Sequence, residues 1–205
     1  MLALHFGTVL LFAATGLLIV ASISAPTVAK IDLLHVPLSN GSAVNFGSLG
    51  FCVLKSADGT SCTHTGVAYR IANEISSLGI EPFSGAEAST LHGLTGGLIL
   101  HQIAAGIAGI AFLLAVCSHR IGFLFASAVA LLAFLFSLAI LVIDFVTFGS
   151  VRHHIRDNGG RAEYGNAIWM VLAATIILLF ASVATCFACI TGRRRTRTRK
   201  TAATY

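Results

Sequence analysis

The chain has 205 residues, 56% of them hydrophobic and only 10% charged, with a formal net charge of +5 and a mean hydropathy of +0.88. A soluble domain carries roughly 25% charged residues, so the composition excludes a soluble globular protein and identifies an integral membrane protein. The positive excess is concentrated in Arg193, Arg194, Arg195, Arg197, Arg199 and Lys200. That run adjoins an apolar stretch and has no interleaved aromatics, which argues against nucleic-acid binding.

Taken in chain order, the first element is an apolar run over residues 1–25. A crossing helix needs about 20 apolar residues. Small residues Ala21, Ser22, Ser24 and Ala25 follow the run as they would follow a signal peptide. No Lys or Arg precedes it, however, and it exceeds the ~7–15 residues of a signal h-region, so a retained span is expected.

Residues 26–92 form a polar segment holding Cys52 and Cys62. Two cysteines in one polar loop of a membrane protein place that loop on the oxidising side and predict a disulfide between them. The sequon Asn40-Gly41-Ser42 belongs on the same side and makes Asn40 a candidate glycosylation site. Ile31 to Val36, Val44 to Leu54 and Cys62 to Tyr69 are strand-like in content. They are separated by the turn sequences around Pro37–Gly41 and Ala57–Thr60, so a small antiparallel sheet is expected, clipped across Asp58-Gly59. A short helix is expected over Ile71 to Leu78.

A second span is expected over 93–117, an inner turn over 118–120, and a third span over 121–148. A second outer loop then covers 149–166, a fourth span 167–190, and a basic tail 191–205. Loops rich in Lys and Arg stay cytoplasmic, so both termini are expected inside. Arg152, Arg156 and Arg161 in the last outer loop dissent, and the cysteine pair and the sequon outweigh them. Gly93 and Gly97, then Ala105 and Gly109, put small residues on one face of the second span. Such a face packs helices closely within a bundle, with homo-oligomer formation as the alternative use. The fold class is thus an all-α membrane protein, a four-helix bundle with a small outer sheet.

Phe46-Gly47-Ser48-Leu49-Gly50-Phe51-Cys52, followed by Cys62 and Tyr69, resembles the first outer loop of the fungal PalI family of four-span plasma-membrane proteins, itself similar to the claudins. Leu94 to Ala105 resembles that family's Leu-His-Pro-Ile-Ala stretch, with Gln102 where proline is usual, and Tyr164 to Trp169 is again similar. A claudin has tryptophans around the glycine-leucine pair, where this chain has Phe46, Leu49 and Phe51. The resemblance implies a non-enzymatic plasma-membrane accessory protein. It would assist an ambient-pH receptor complex that includes a seven-span receptor, or organise membrane microdomains as eisosome-associated relatives do. A claudin-like pore, or an accessory subunit of a transporter or synthase, is the alternative.

No catalytic constellation is visible, neither paired carboxylates, metal-spaced histidines, a phosphate-binding glycine loop nor a nucleophile elbow. No enzyme activity, metal or cofactor is therefore expected. Asp144 in the third span is an intramembrane ionisable group, with His101 in the second as the natural partner for a structural polar contact. Phe46, Leu49 and Phe51 are the candidate partner surface. His35, His64, His153 and His154 lie in the outer segments, where histidine titrates near pH 6.5. Cys117, Cys186 and Cys189 fall at the inner boundary, and Cys186 and Cys189, beside the basic tail, are candidate palmitoylation sites. The tail cations are expected to contact anionic lipid at about 1 kcal/mol each. Membrane lipids and other integral membrane proteins are the expected partners.

Overall fold

The computed structural model describes residues 2–38, 41–55, 59–77, 82–117 and 122–202, with side chains described except at 2–5, 74, 77, 122–124 and 187–202. In chain order these form α1 (Leu2–Ser22), β1 (Leu34–Pro37), β2 (Ala43–Phe46), β3 (Phe51–Lys55), β4 (Gly59–Cys62), α2 (Ile71–Ser77), α3 (Gly85–Gly97), α4 (Leu100–Cys117), α5 (Gly122–Asp157), β5 (Glu163–Tyr164) and α6 (Asn166–Ala202).

The helix packing follows from the spacing of small residues. Buried positions on α4 are 101, 104, 105, 108, 111 and 115, and those on α5 include 126, 130, 133, 137, 140, 144, 147, 148, 151 and 155. Steps of three and four residues trace a stripe with a period near 3.5, the pattern of helices that cross at shallow angles with left-handed supercoiling. Alanines dominate these stripes, and small side chains let helix backbones approach closely in lipid. Leu11, Ala14, Leu18 and Ala21 of α1 join residues of α4, α5 and α6 in one bundle core. Three stretches, 85–117, 125–157 and 166–186, are long and apolar enough to cross a membrane, and the described part of α1, 6–22, is a shorter apolar helix.

The stretch expected as a single second span is two helices. Gly96 and Gly97 weaken the helix before Leu98, and i→i−3 bonds replace the regular ladder there, from Leu98 N to Thr95 O, His101 N to Leu98 O and Gln102 N to Ile99 O, each at 3.2 Å. The helical stretch also starts earlier than expected. Ser84 and Glu87 form a reciprocal capping box that opens α3 at Gly85.

The segment between α1 and α2 and the short one before α6 fold into a five-stranded antiparallel sheet in the order β4-β3-β2-β1-β5. The run expected as one strand over Val44 to Leu54 is two strands joined by a turn at 47–50, and the stretch after Cys62 is not strand. Cys52 and Cys62 sit directly opposite each other and are bonded. The clip therefore fastens edge strand β4 to β3, not two central strands. β5 comes from the second outer loop and pairs with β1 through Leu34 opposite Tyr164 and His35 opposite Glu163. Beneath the sheet lies a second core, in which Leu33, Leu34, Val44, Phe46 and Phe51 meet Ile71 and Ile75 of α2, Leu91 of α3 and Phe148, Val151 and Ile155 of α5.

Candidate functional site

The most distinctive chemistry lies where the sheet meets the bundle. The 47–50 turn rests on the end of α1, so closely that a Cβ on Gly47 would collide with the carbonyl oxygen of Ala25. Ser48 fixes this contact. Its amide donates to Ser24 Oγ at 3.0 Å, the Ser24 hydroxyl donates to Ser48 Oγ at 3.1 Å, and the Ser48 hydroxyl donates to the Ser22 carbonyl at 3.1 Å. Gln102 Nε2 of α4 reaches the same carbonyl at 3.3 Å.

On the other side of the sheet, the segment leading into β1 docks on the start of α6. Gly165 N donates to Leu33 O at 3.0 Å and Ala167 N to Asp32 O at 2.9 Å. A side chain at Gly165 would strike the Asp32 carbonyl. The Asp32 carboxylate accepts from the Asn166 backbone N–H, and burial pushes its pKa above the ordinary value, outweighing the opposing pull of His35 and of that N–H. His35 Nδ1 lies 3.7 Å from Asp32 Oδ2 and donates at 2.6 Å to Asn45 Oδ1, while Asn45 Nδ2 donates to Ala29 O at 2.6 Å. Asn45 is thus used at both ends of its amide.

Below the 47–50 turn, Tyr69 donates its hydroxyl to Gly47 O at 2.8 Å. Burial, with the Asp144 charge adding in the same direction, pushes its pKa up, so the phenol stays a donor. Thr95 of α3 donates to Tyr69 O at 3.0 Å or to His92 O at 2.9 Å. His101 and Asp144 then meet, His101 Nε2 lying 3.2 Å from Asp144 Oδ2 with both side chains 0% exposed. The geometry limits the protonation states. His101 Nδ1 is turned to the Leu98 carbonyl at 2.9 Å, which is an acceptor only, so Nδ1 carries a hydrogen. Nε2 is thereby turned to the carboxylate at ion-pair distance, although neither His101 Nε2 nor Asp144 Oδ2 completes a hydrogen bond among the described residues. The helix break supplies that Leu98 carbonyl, freed from the regular ladder. Asp144 Oδ1 and Thr147 Oγ1, on the same α5 stripe, have no hydrogen-bond partner among the described residues. Arg152 is engaged elsewhere: it donates to Ala162 O at 3.2 Å and lies over the Tyr164 ring.

The expectation that Phe46, Leu49 and Phe51 form an exposed partner surface is corrected by their burial. Phe46 is 0% and Phe51 8% exposed, and Leu49 is half-buried. The two phenylalanine rings pack into the core beneath the sheet, Phe46 tilted against Phe51 at 5.7 Å and Phe51 tilted against Tyr69 at 6.4 Å. The histidines are dispersed: His64 is exposed, His153 lies 3.4 Å from Asp157, and His154 stacks on Phe83 at 3.9 Å. Cys117 and Cys186 are free and exposed. Asn40, and the side chains of Cys189, Arg193, Arg194, Arg195, Arg197, Arg199 and Lys200, lie outside the described residues. Among the described residues no cluster of three or more metal-ligating side chains occurs.

Reading the residues singly missed Asp32, Asn45 and Thr147. For Thr147 a signal was present, since it shares the period-3.5 stripe of Asp144.

Two kinds of comparison with known proteins bear on this arrangement. The profile described as the SUR7/PalI family matches residues 3–181, nearly the whole helical and sheet framework. Over 186 residues the chain is 32% identical to the pH-response regulator protein palI/RIM9 of Yarrowia lipolytica, an alignment spanning 84% of this chain and 23% of that protein. Over 112 residues it is 32% identical to the pH-response regulator protein palI/prr-5 of Neurospora crassa, spanning 54% of this chain and 15% of that protein. The chain thus covers less than a quarter of the length of either relative.

Proposed function

This chain belongs to the SUR7/PalI family, and on that premise we propose that it is a non-enzymatic accessory protein of ambient-pH signalling at the plasma membrane, one that holds or places other integral membrane proteins. A membrane-microdomain role is the neighbouring reading within the same family. α1, α4, α5 and α6 serve as four crossings, with the disulfide-bonded sheet outside and both termini inside. The observation that carries the proposal is that the family match coincides with the bundle and its outer sheet, while the relatives it resembles are named as pH-response regulators. The arrangement supports a protein that works by its surfaces: the polar groups at the junction are spent on holding helices and sheet together. The face left to a protein partner is the fully exposed β4 strand and the segment after it, where Val67 is 52% exposed. Anionic headgroups at the inner boundary would meet the basic tail, and acylation of Cys186 and Cys189 would add to its anchoring.

The test is a photo-crosslinker placed at Val67 in the full chain in its native membrane, combined with deletion of the chain. The expected result is an integral membrane protein crosslinked from the outer side and a blunted response to alkaline shift on deletion. A normal alkaline response in the deletion removes the signalling role, and crosslinking to lipid alone removes the partner face.

A further inference from the structure

A cavity of about 290 Å³ opens between α2 and α3 and is lined by Arg70, Ala72, Asn73, Gly85, Ala88, Ser89 and His92. Three observations give it a chemistry. Arg70 is exposed and forms no ion pair with any described residue, so its guanidinium is free for a bidentate acceptor. His92 Nδ1 is buried with no hydrogen-bond partner among the described residues, a condition that native structures seldom leave unanswered. Asn73 and Ser89, both exposed, bring an amide and a hydroxyl to the same concavity. A guanidinium, an imidazole nitrogen, an amide and a hydroxyl around one small cavity suit a tetrahedral oxyanion.

Its depth says where that oxyanion comes from. From Cys117 at the inner end of α4, a rise of 1.5 Å per residue reaches about 29 Å at Leu98 and about 37 Å at His92. A hydrocarbon core is about 30 Å thick within a bilayer of about 40–45 Å, so on the proposed topology His92, the innermost α3 residue of the cavity, stands at outer-headgroup level and the rest of the cavity opens above it. Below it on the same helical stretch, seven, eleven and eighteen residues after His92, Ile99, Ile103 and Ile110 are 38%, 44% and 53% exposed. They offer an apolar track at acyl-chain depth. We infer that this cavity is a binding site for the phosphate headgroup of an outer-leaflet phospholipid, with Arg70 on the phosphate and the chains along Ile99 and Ile103.

The test uses the full chain, purified in detergent and stripped of lipid, with native mass spectrometry reading retained lipid. Phosphatidylcholine, a phosphate-free galactosyl diacylglycerol and inorganic phosphate are the probes. Phosphatidylcholine is expected to bind the parent chain, and Arg70→Gln to weaken it about tenfold or more, the loss of a charge-assisted contact. Ala88→Phe, which fills the cavity and leaves Arg70 in place, is expected to do the same, so the reading does not hang on one variant; elution volume and an intact Cys52–Cys62 bond report folding. Galactosyl lipid bound as tightly as phosphatidylcholine, or both variants binding as the parent does, overturns the site. Inorganic phosphate competing away the phospholipid at equal concentration overturns the lipid assignment in favour of a free anion.

Discussion

Asp32 and the His101–Asp144 pair are two ways of placing a carboxylate out of water. Asp32 is 5% exposed, and its pKa is raised because desolvation outweighs His35 and the Asn166 N–H. The folded state therefore keeps the proton to higher pH than the unfolded chain does. The resulting stabilisation is fully present below the unfolded value of about 3.9 and is lost as pH rises through the raised folded value. Acidification across that window should raise the melting temperature of the parent chain relative to Asp32→Asn; a constant offset between the two curves contradicts this. The intramembrane pair answers to a double-mutant cycle. Removing one partner of a buried pair costs about 3–5 kcal/mol, whereas replacing both with apolar residues of similar volume is close to neutral. Asp144→Leu alone is thus expected to be severely destabilising in detergent unfolding, and His101→Leu with Asp144→Leu much less so than the summed singles. Additive effects would rule out coupling between them. Both residues were legible in the sequence as polar exceptions in apolar stretches. Their facing becomes legible only when the 3.5-period stripes on α4 and α5 are laid against each other.

Among the elements, the strands show what local pattern carries and what it does not. β1, β2 and β3 overlap stretches whose β-branched and aromatic content marks them as strand, each overrunning its stretch by one residue, at Pro37, Ala43 and Lys55, and the cysteines marked the β3–β4 pairing. β5 was illegible, because two residues have no period and their partner lies over a hundred positions earlier in the chain. The extension of α5 to Asp157 was hidden for a different reason: charge at Arg152 and Arg156 marks where lipid ends, which need not be where a helix ends. The start of α3 was written in Ser84 and Glu87 but passed unread. Two predictions belong to this scale. Cys52→Ser should cost about 3 kcal/mol, the chain-entropy value for a loop of this length, and should release β4 before the rest of the sheet, as hydrogen exchange would register. Uniform exchange across all strands argues otherwise. Gly165→Ala should destabilise by about 1–3 kcal/mol, since its Cβ meets the Asp32 backbone. Gly159→Ala, despite a positive φ of 77°, meets nothing within 4 Å and should cost less.

At the scale of the whole molecule there are two cores, an alanine-rich one within the bundle and a leucine- and isoleucine-rich one under the sheet. The proposed orientation places Cys117 and Cys186, both exposed, on the inner side. A membrane-impermeant thiol reagent added to sealed cells should leave both unlabelled; once the membrane is opened it should label Cys117 directly and Cys186 after hydroxylamine has cleaved any thioester there. Labelling before opening reverses the orientation.

The pairing of β5 with β1 closes a loop in the chain through backbone hydrogen bonds. The chain runs from the sheet down α3 and α4, up α5, and back into the same sheet before descending as α6. Helices α5 and α6 are therefore clasped at their outer ends by hydrogen bonds to a strand that neither of them adjoins in sequence. A displacement of β1 would therefore bear on the adjoining ends of both helices at once. In that sense the sheet is the yoke of a caliper whose jaws are α5 and α6.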